Sequence, residues 1–282
     1  MNPNDCSLVA RLASALGCAK PQREALVFAT KGWRRFSYDP SIAAWAQEAL
    51  GQAKEVVQQP EMRKKWLQCQ GTWFVGVDAL ASDGQGALGG VPLAGDVIKW
   101  LSDMDYLPFH PAQLSVIYPG YPKPRMGETE AGFRYRKNRD AAHVDGLLAV
   151  GPDRRRMLKE PHAFILGLPL NSCSLGASPM VVWEGSHLIM AEVFQKAFAC
   201  IDAASWAEVD VTKVYQAARR QVFERCKRVA VHAQPGEAYV VHRLALHGVA
   251  PWQNGAGAPE EGRMIAYFRP ELRDQAQWIL GS

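Results

Sequence analysis

The stretch "AYVVHRLALHGVAPW", residues 238–252, carries two of the chain's seven histidines, His242 and His247. Apolar runs around each, and the Gly and Pro that follow, read as strand, turn and strand. The two histidines are five residues apart (242 to 247). On a continuous strand, odd spacing sends side chains to opposite faces, so one cation would not engage both. An intervening turn weakens that argument, and spacing alone leaves the choice open.

Similar short segments surround this one. They are "QLSVIYPG" (113–120), "HAFILGLPL" (162–170), "SPMVVWEGS" (178–186), "RVAVHAQ" (228–234) and "GRMIAYFRP" (262–270). Many short strands with Pro/Gly turns predict a sandwich or barrel. Between them, "HLIMAEVFQKAFACI" (187–201) and "SWAEVDVTKVYQAARRQVFERC" (205–226) read as two helices. Ahead of them, "PSIAAWAQEALGQAKEVVQQ" (40–59) and "PEMRKKWLQC" (60–69) start at prolines and have helical spacing. "GTWFVGVDAL" (71–80) reads as a strand and "GDVIKWLSDM" (95–104) as a short helix. The glycine-rich 82–96 segment lacks the strand-helix context of a dinucleotide fingerprint and reads as a structural loop.

The expected fold is mainly β with added helices: a double-stranded β-helix, the jelly roll of cupin-like proteins. The chain is expected to form a single domain over 1–282. A mainly helical support region spans 1–108, the jelly-roll core 109–272, and a helical insertion 187–226 interrupts the core.

Composition excludes several classes. The chain is 48% hydrophobic and 21% charged, as in ordinary globular proteins. A net charge of +4 over 282 residues does not by itself imply nucleic acid or a membrane surface. Its six cysteines are scattered and form no CxxC pair, so free thiols in a reducing cytoplasm are expected. No apolar run approaches the roughly 20 residues of a bilayer span. "MNPNDCSLVARLASALGCAKP" (1–21) fits a short amphipathic helix better than a secretory signal.

Chemistry enters at "AAHVDG" (141–146), where His143 and Asp145 are separated by one residue. On a strand such a pair shares a face, and imidazole and carboxylate can converge on one cation. Two histidines and one carboxylate on one face of an octahedron leave three positions open, as in non-haem Fe(II) oxygenases. An isolated His-x-Asp is weak evidence; a surface histidine beside a turn aspartate gives the same pattern. It needs a second histidine and a cation to anchor an acidic co-substrate. His247 in "LHG" and Arg263 in "EGRMIAYFRP" are available. A planar guanidinium holds a carboxylate bidentately.

The order His-x-Asp, "EGSHL" (184–188), "LHG" and a final-strand arginine resembles the Fe(II)/2-oxoglutarate dioxygenases. It looks most like the phytanoyl-CoA dioxygenase family, over roughly 113–270. The resemblance selects His247 over His242, leaving His242 packed outside the barrel or lining the substrate side. It implies that His143, Asp145 and His247 bind Fe(II) and carry catalysis. Arg263 would hold the far carboxylate of 2-oxoglutarate, with O2 as the oxidant. Related halogenases lack the carboxylate, leaving room for a halide, so the resemblance implies that Asp145 points to hydroxylation or a similar oxidation. Some relatives have Ser or Thr two residues after the arginine, where this chain has Ile265; Tyr118 and Tyr267 are the candidate hydroxyl partners. His187 is expected to be structural, with Ser186 capping the following helix. His110, His162 and His232 are likewise expected to be structural.

The substrate is expected to be a small molecule. Residues 121–161 hold ten Lys/Arg and six Asp/Glu, so the excess of four matches the net charge. Arg134, Arg136, Lys137, Arg139 and Arg154–Arg156 either steer an anionic substrate or form a solvated loop. No nucleic-acid or membrane partner is expected, and the oligomeric state is open. Two competing readings remain. Arg263 and Arg269 resemble the paired arginines of AlkB-type nucleic-acid demethylases. A cupin-like metal-binding protein or isomerase without redox chemistry would share the fold.

Overall fold

The structure, a computed structural model, describes residues 20–280. The helix expected at the N-terminus falls mostly on positions 1–19, outside the described residues. In chain order the elements begin with α1 (Lys20–Lys31), β1 (Trp33–Phe36), α2 (Pro40–Val56), α3 (Pro60–Trp66), β2 (Leu67–Gln68), β3 (Trp73–Leu80), α4 (Asp96–Leu101), β4 (Ala112–Ile117) and α5 (Glu130–Asn138). There follow β5 (Leu147–Val150), β6 (Arg155–Leu158), β7 (Phe164–Pro169), β8 (Met180–Trp183), α6 (Ser186–Phe198) and α7 (Thr212–Arg225). The chain ends with β9 (Arg228–Val231), β10 (Ala238–His242), β11 (His247–Val249), β12 (Arg263–Phe268) and α8 (Gln277–Leu280).

A seven-stranded antiparallel sheet, ordered β1-β10-β7-β12-β4-β3-β2, faces a three-stranded sheet ordered β11-β8-β9. This is the jelly-roll core with added helices that the strand pattern predicts. Alternation sorts its side chains. Ile165, Tyr239, Val241, Ile265 and Tyr267 of the large sheet meet Met180, Val182 and Val231 of the small one. The alternate residues Leu166, Val240 and Ala266 face outward into the larger cluster beneath the helices. Helix α2 covers that side. Asp39 caps it by accepting from the Ser41 amide at 2.8 Å, and Pro40 sits in its first turn. Its buried stripe is Ile42, Trp45, Ala46, Ala49 and Ala53. Trp45 meets Phe268 of β12 with ring centroids 5.6 Å apart.

Several expectations change. The first 108 residues also contain strands of the main sheet: β1 pairs with β10 and β3 with β4. β1 escapes a pattern reading because "WRRF" puts two arginines on an edge strand, where charge is tolerated. Residues 205–226 are not one helix. A 3-10 turn over Ala203–Glu208 ends before Asp210, whose Oδ1 takes the Thr212 amide at 2.9 Å and competes with helical bonding. The basic 121–161 segment is not all loop. Thr129 caps α5 by accepting from the Gly132 amide at 3.1 Å, and β5 and β6 form a hairpin.

Candidate metal centre

The His143–Asp145 segment is not a strand. Asp140 and Ala141 have φ of 55° and 52°, and His143 makes only an isolated bridge to His247. In that bridge the His143 amide donates to His247 O at 2.8 Å and the His247 amide to His143 O at 3.0 Å. Gly248 explains the "LHG" step. A side chain there would lie 2.2 Å from Asp140 O, so glycine lets the His143 segment pass over β11.

Three lone-pair donors converge. His143 Nε2 lies 3.1 Å and His247 Nε2 3.5 Å from Asp145 Oδ1. These atoms all lie within 4.8 Å of one another, and no other such group of three occurs among the described residues. The partners of the other ring nitrogens fix the tautomers. His143 Nδ1 lies 3.0 Å from Ala141 O and His247 Nδ1 2.9 Å from Ala245 O. A carbonyl only accepts, so each Nδ1 carries a proton and each Nε2 is the nitrogen turned to the carboxylate, donating to it when the ring is charged and free to ligate a cation when it is neutral. Three electron-rich atoms facing one another suit a bound cation. The His143 side chain is 49% exposed and Asp145 only 6%, so the group opens on one side.

The second carboxylate oxygen is engaged elsewhere. Asp145 Oδ2 lies 3.4 Å from Arg269 Nη1, and Arg269 Nη2 donates to Gln113 Oε1 at 2.7 Å. Burial alone would raise the Asp145 carboxyl. The Arg269 guanidinium and both imidazoles outweigh it and hold the carboxyl well below the usual range.

Arg263 begins β12 and shares its inner face with Ile265 and Tyr267. It is 5% exposed, and its Nε, Nη1 and Nη2 all lack a hydrogen-bond partner. Pro169, Asn171, Cys173, Pro179, Tyr239 and Ile265 line the pocket around it. A buried, unpaired guanidinium is costly unless an anion joins it. The Tyr239 and Tyr267 hydroxyls bond each other at 3.0 Å, leaving one phenolic proton for a further acceptor. Burial pushes Tyr239 well above its ordinary pKa, so it stays a neutral donor. Tyr118 does not join this face. It packs against the outer cluster with Arg63 beside its hydroxyl.

His162, His187, His232 and His242 have structural contacts, while His110 is exposed. His242 packs outside the barrel, its ring centroid 4.8 Å from that of His187 and 5.8 Å from that of Phe28. His187 Nε2 meets Ala29 O at 2.9 Å. Ser186 does not cap its own helix; Gly185 holds that position. The Ser186 hydroxyl instead accepts from the Leu246 amide at 2.8 Å, tying "EGS" to the residue before His247. His162 lies 3.2 Å from Glu160 and His232 3.1 Å from Cys173 O.

Three of the ten cations of the basic stretch pair with acids of the same stretch: Arg134 with Glu130, Arg136 with Glu128, and Arg155 with Asp153. Gln113 and Tyr239 escape sequence reading because they are ordinary strand residues until the sheets close. Only the six-residue interval from Arg263 gave any signal for Arg269.

No protein-family model matches the chain, and no curated protein matches it in sequence. Among solved structures it is similar to SnoK, a non-heme alpha ketoglutarate dependent carbocyclase from nogalamycin biosynthesis. That likeness covers 91% of this chain and 85% of the other at 12% identity, with a TM-score of 0.50. EctD from S. alaskensis with 2-oxoglutarate and 5-hydroxyectoine follows at 15% identity, covering 89% and 75%, with a TM-score of 0.46. AviO1 from Streptomyces viridochromogenes Tue57 is similar over 90% and 96% at 12% identity and a TM-score of 0.48. The likeness to the carbocyclase is one of fold. Among the described residues, no helix is long and apolar enough to cross a membrane.

Proposed function

We propose that this chain is a non-haem Fe(II)- and 2-oxoglutarate-dependent oxygenase that hydroxylates a small organic molecule. One observation carries the reading: a buried guanidinium with three unpaired nitrogens lies in the same barrel as a converging His-Asp-His group. His143, Asp145 and His247 would hold the iron. Arg263, with the spare phenolic proton of the Tyr239–Tyr267 pair, would hold the far carboxylate of the co-substrate. When bound, iron and 2-oxoglutarate supply the oxidising chemistry, consuming O2 and releasing succinate and carbon dioxide. Asp145 fills the position that a halide needs, which favours hydroxylation. Arg269 and Gln113 keep Asp145 ionised and oriented.

Within the oxygenases the "EGSHL" step supports a phytanoyl-CoA dioxygenase-like assignment, because Ser186 secures the residue before His247. Free thiols at Cys69, Cys173, Cys200 and Cys226 support a cytoplasmic setting. The internal pairing of Arg134, Arg136 and Arg155 argues against a phosphate-tracking surface and so against nucleic acid as the substrate.

The test is anaerobic addition of 2-oxoglutarate to the Fe(II)-loaded protein. A weak visible charge-transfer band should appear for the wild type and vanish in Arg263→Met. Iron binding with no band and no 2-oxoglutarate turnover would favour a metal-binding protein or isomerase without redox chemistry.

A further inference from the structure

The His143 segment raises a positioning problem. Its residues are not on a continuous strand, so no ladder sets their register. Yet His143 and Asp145 must present their ligand atoms to one point.

Two helices outside the barrel meet this segment. On α5, the Tyr135 hydroxyl donates to Ala142 O at 2.7 Å, immediately before His143. On α7, the Tyr215 hydroxyl accepts from the Val144 amide at 3.1 Å, between His143 and Asp145. Arg219 lies four residues, about one helical turn, after Tyr215. Its Nη1 donates to the Tyr135 hydroxyl at 3.1 Å. Its guanidinium carbon lies 4.9 Å from the ring centroids of both Tyr135 and Tyr215. Cation–π attraction to both rings sets the two phenols relative to each other. Tyr215 is 2% exposed, so its bond to the Val144 amide does not exchange freely with water.

Other contacts complete the hold. The His143 peptide is bonded in both directions to His247. The Asp140 carboxylate takes two bonds from Arg228, at 2.7 and 2.8 Å. From Ala142 to Val144, each residue is thus fixed by a hydrogen bond from another element.

We propose that Tyr135, Arg219 and Tyr215 form a positioning clamp that sets the geometry of His143 and Asp145. The helical insertion 187–226 is, on this account, part of the metal centre's scaffold through α7. The inference rests on reading His143, Asp145 and His247 as metal ligands. The three clamp residues lie outside the His143–Asp145–His247 ligand group and act on it through the Ala142–Val144 backbone.

The experiment uses the full-length metal-free protein, with Mn(II) alone as the calorimetric probe and amide hydrogen exchange over residues 140–146 as a metal-independent readout. Tyr135→Phe and Tyr215→Phe keep the rings and remove one hydroxyl each. Each should weaken Mn(II) about tenfold, the lower end for groups that orient metal ligands. Exchange across 140–146 should rise, while the melting temperature stays within a few degrees. Arg219→Met should weaken Mn(II) similarly, because it removes both the donor to the Tyr135 hydroxyl and the cation held between the two rings.

Mn(II) affinity within twofold of wild type in both tyrosine variants, with unchanged exchange, would overturn the clamp. So would losses that simply follow the melting temperature. If Tyr215→Phe does not fold, Tyr135→Phe and Arg219→Met carry the same test. A wild type that binds no Mn(II) overturns the metal reading instead; the exchange arm then judges the clamp by itself.

Discussion

One stretch of chain supplies a histidine to each of two imidazole pairs, and the pairs behave differently. His247 faces His143 with ring centroids 4.6 Å apart and planes at 51°. His242 faces His187 at 4.8 Å and 47°. The ring geometries are nearly the same, but the surroundings differ. The first pair has a carboxylate between its Nε2 atoms and a guanidinium behind that carboxylate. The second has no carboxylate. His187 meets a peptide carbonyl, and His242 Nδ1 accepts from the Leu244 amide at 3.1 Å. The adjacent Arg243 spends its donors on the Trp278, Ala163 and Gln277 carbonyls. Two close imidazoles are therefore not a metal site by themselves; the third group makes the difference.

Removing that third group should collapse the distinction. Asp145→Ala leaves two close imidazoles, as at the other pair, and frees Arg269 from its carboxylate. Mn(II) affinity measured by calorimetry should fall at least about 100-fold, beyond the range seen for groups behind the ligands. Retained affinity would remove Asp145 from the ligand set.

Arg263 sharpens the same contrast with opposite effects on function and stability. In Arg263→Met, 2-oxoglutarate affinity should weaken about 30- to 100-fold, roughly 2–3 kcal/mol, from loss of a buried charge partner. The metal-free protein should become more stable, by about 1–4 kcal/mol, because an unpaired buried charge is replaced by an apolar chain. Urea unfolding with and without 2-oxoglutarate measures both. A metal-free protein destabilised by the change would mean that Arg263 has a structural partner.

His242→Ala tests the other pair. It removes a buried ring packed on Phe28 and His187 and should cost about 2–4 kcal/mol, as large core truncations do. Mn(II) affinity should be unchanged once the protein is folded. Loss of metal binding in proportion to the His247→Ala variant would merge the two pairs.

Much of this contrast was legible in the sequence. Strands β7, β10 and β12 announce themselves by apolar, β-branched runs, but spacing leaves the choice between His242 and His247 open: the two stand on β10 and β11, in different sheets with a turn between, so strand alternation does not relate them. The His-x-Asp pair converges, but not for the reason the spacing suggests. A strand would have aligned the two by alternation; here positive φ at Asp140 and Ala141 and bonds from elsewhere do so. Those bonds come from Tyr135, Tyr215, Gln113 and Arg269, whose partners lie between 7 and 156 residues away in sequence. Periodicity cannot show such pairings, because they exist only once helices and sheets have packed. The basic stretch meets the same limit: a charge count does not reveal which acids will sit beside which bases.

The pH dependence of stability separates the pairs by protonation. Burial first, then mutual repulsion and the Arg243 charge, push His242 well below its ordinary value; burial chiefly lowers His187 as well. In the unfolded chain both imidazoles take up protons near pH 6.5, while the folded chain resists doing so. The unfolded state then binds more protons, so stability falls as pH drops through 6.5 toward the depressed folded values. Each histidine contributes up to about 1.4 kcal/mol per pH unit in that window. Asp145, Glu128 and Glu160 have lowered values and titrate in acid beneath this window. Urea midpoints in chelator at pH 7.5 and 5.5 should therefore report mainly the buried pair. The wild type should lose stability across that interval, and His242→Ala should flatten the slope by removing the more strongly depressed of the two imidazoles. An unchanged slope in that variant would place the acid sensitivity elsewhere and end the case for His187 and His242 as a neutral, packed pair.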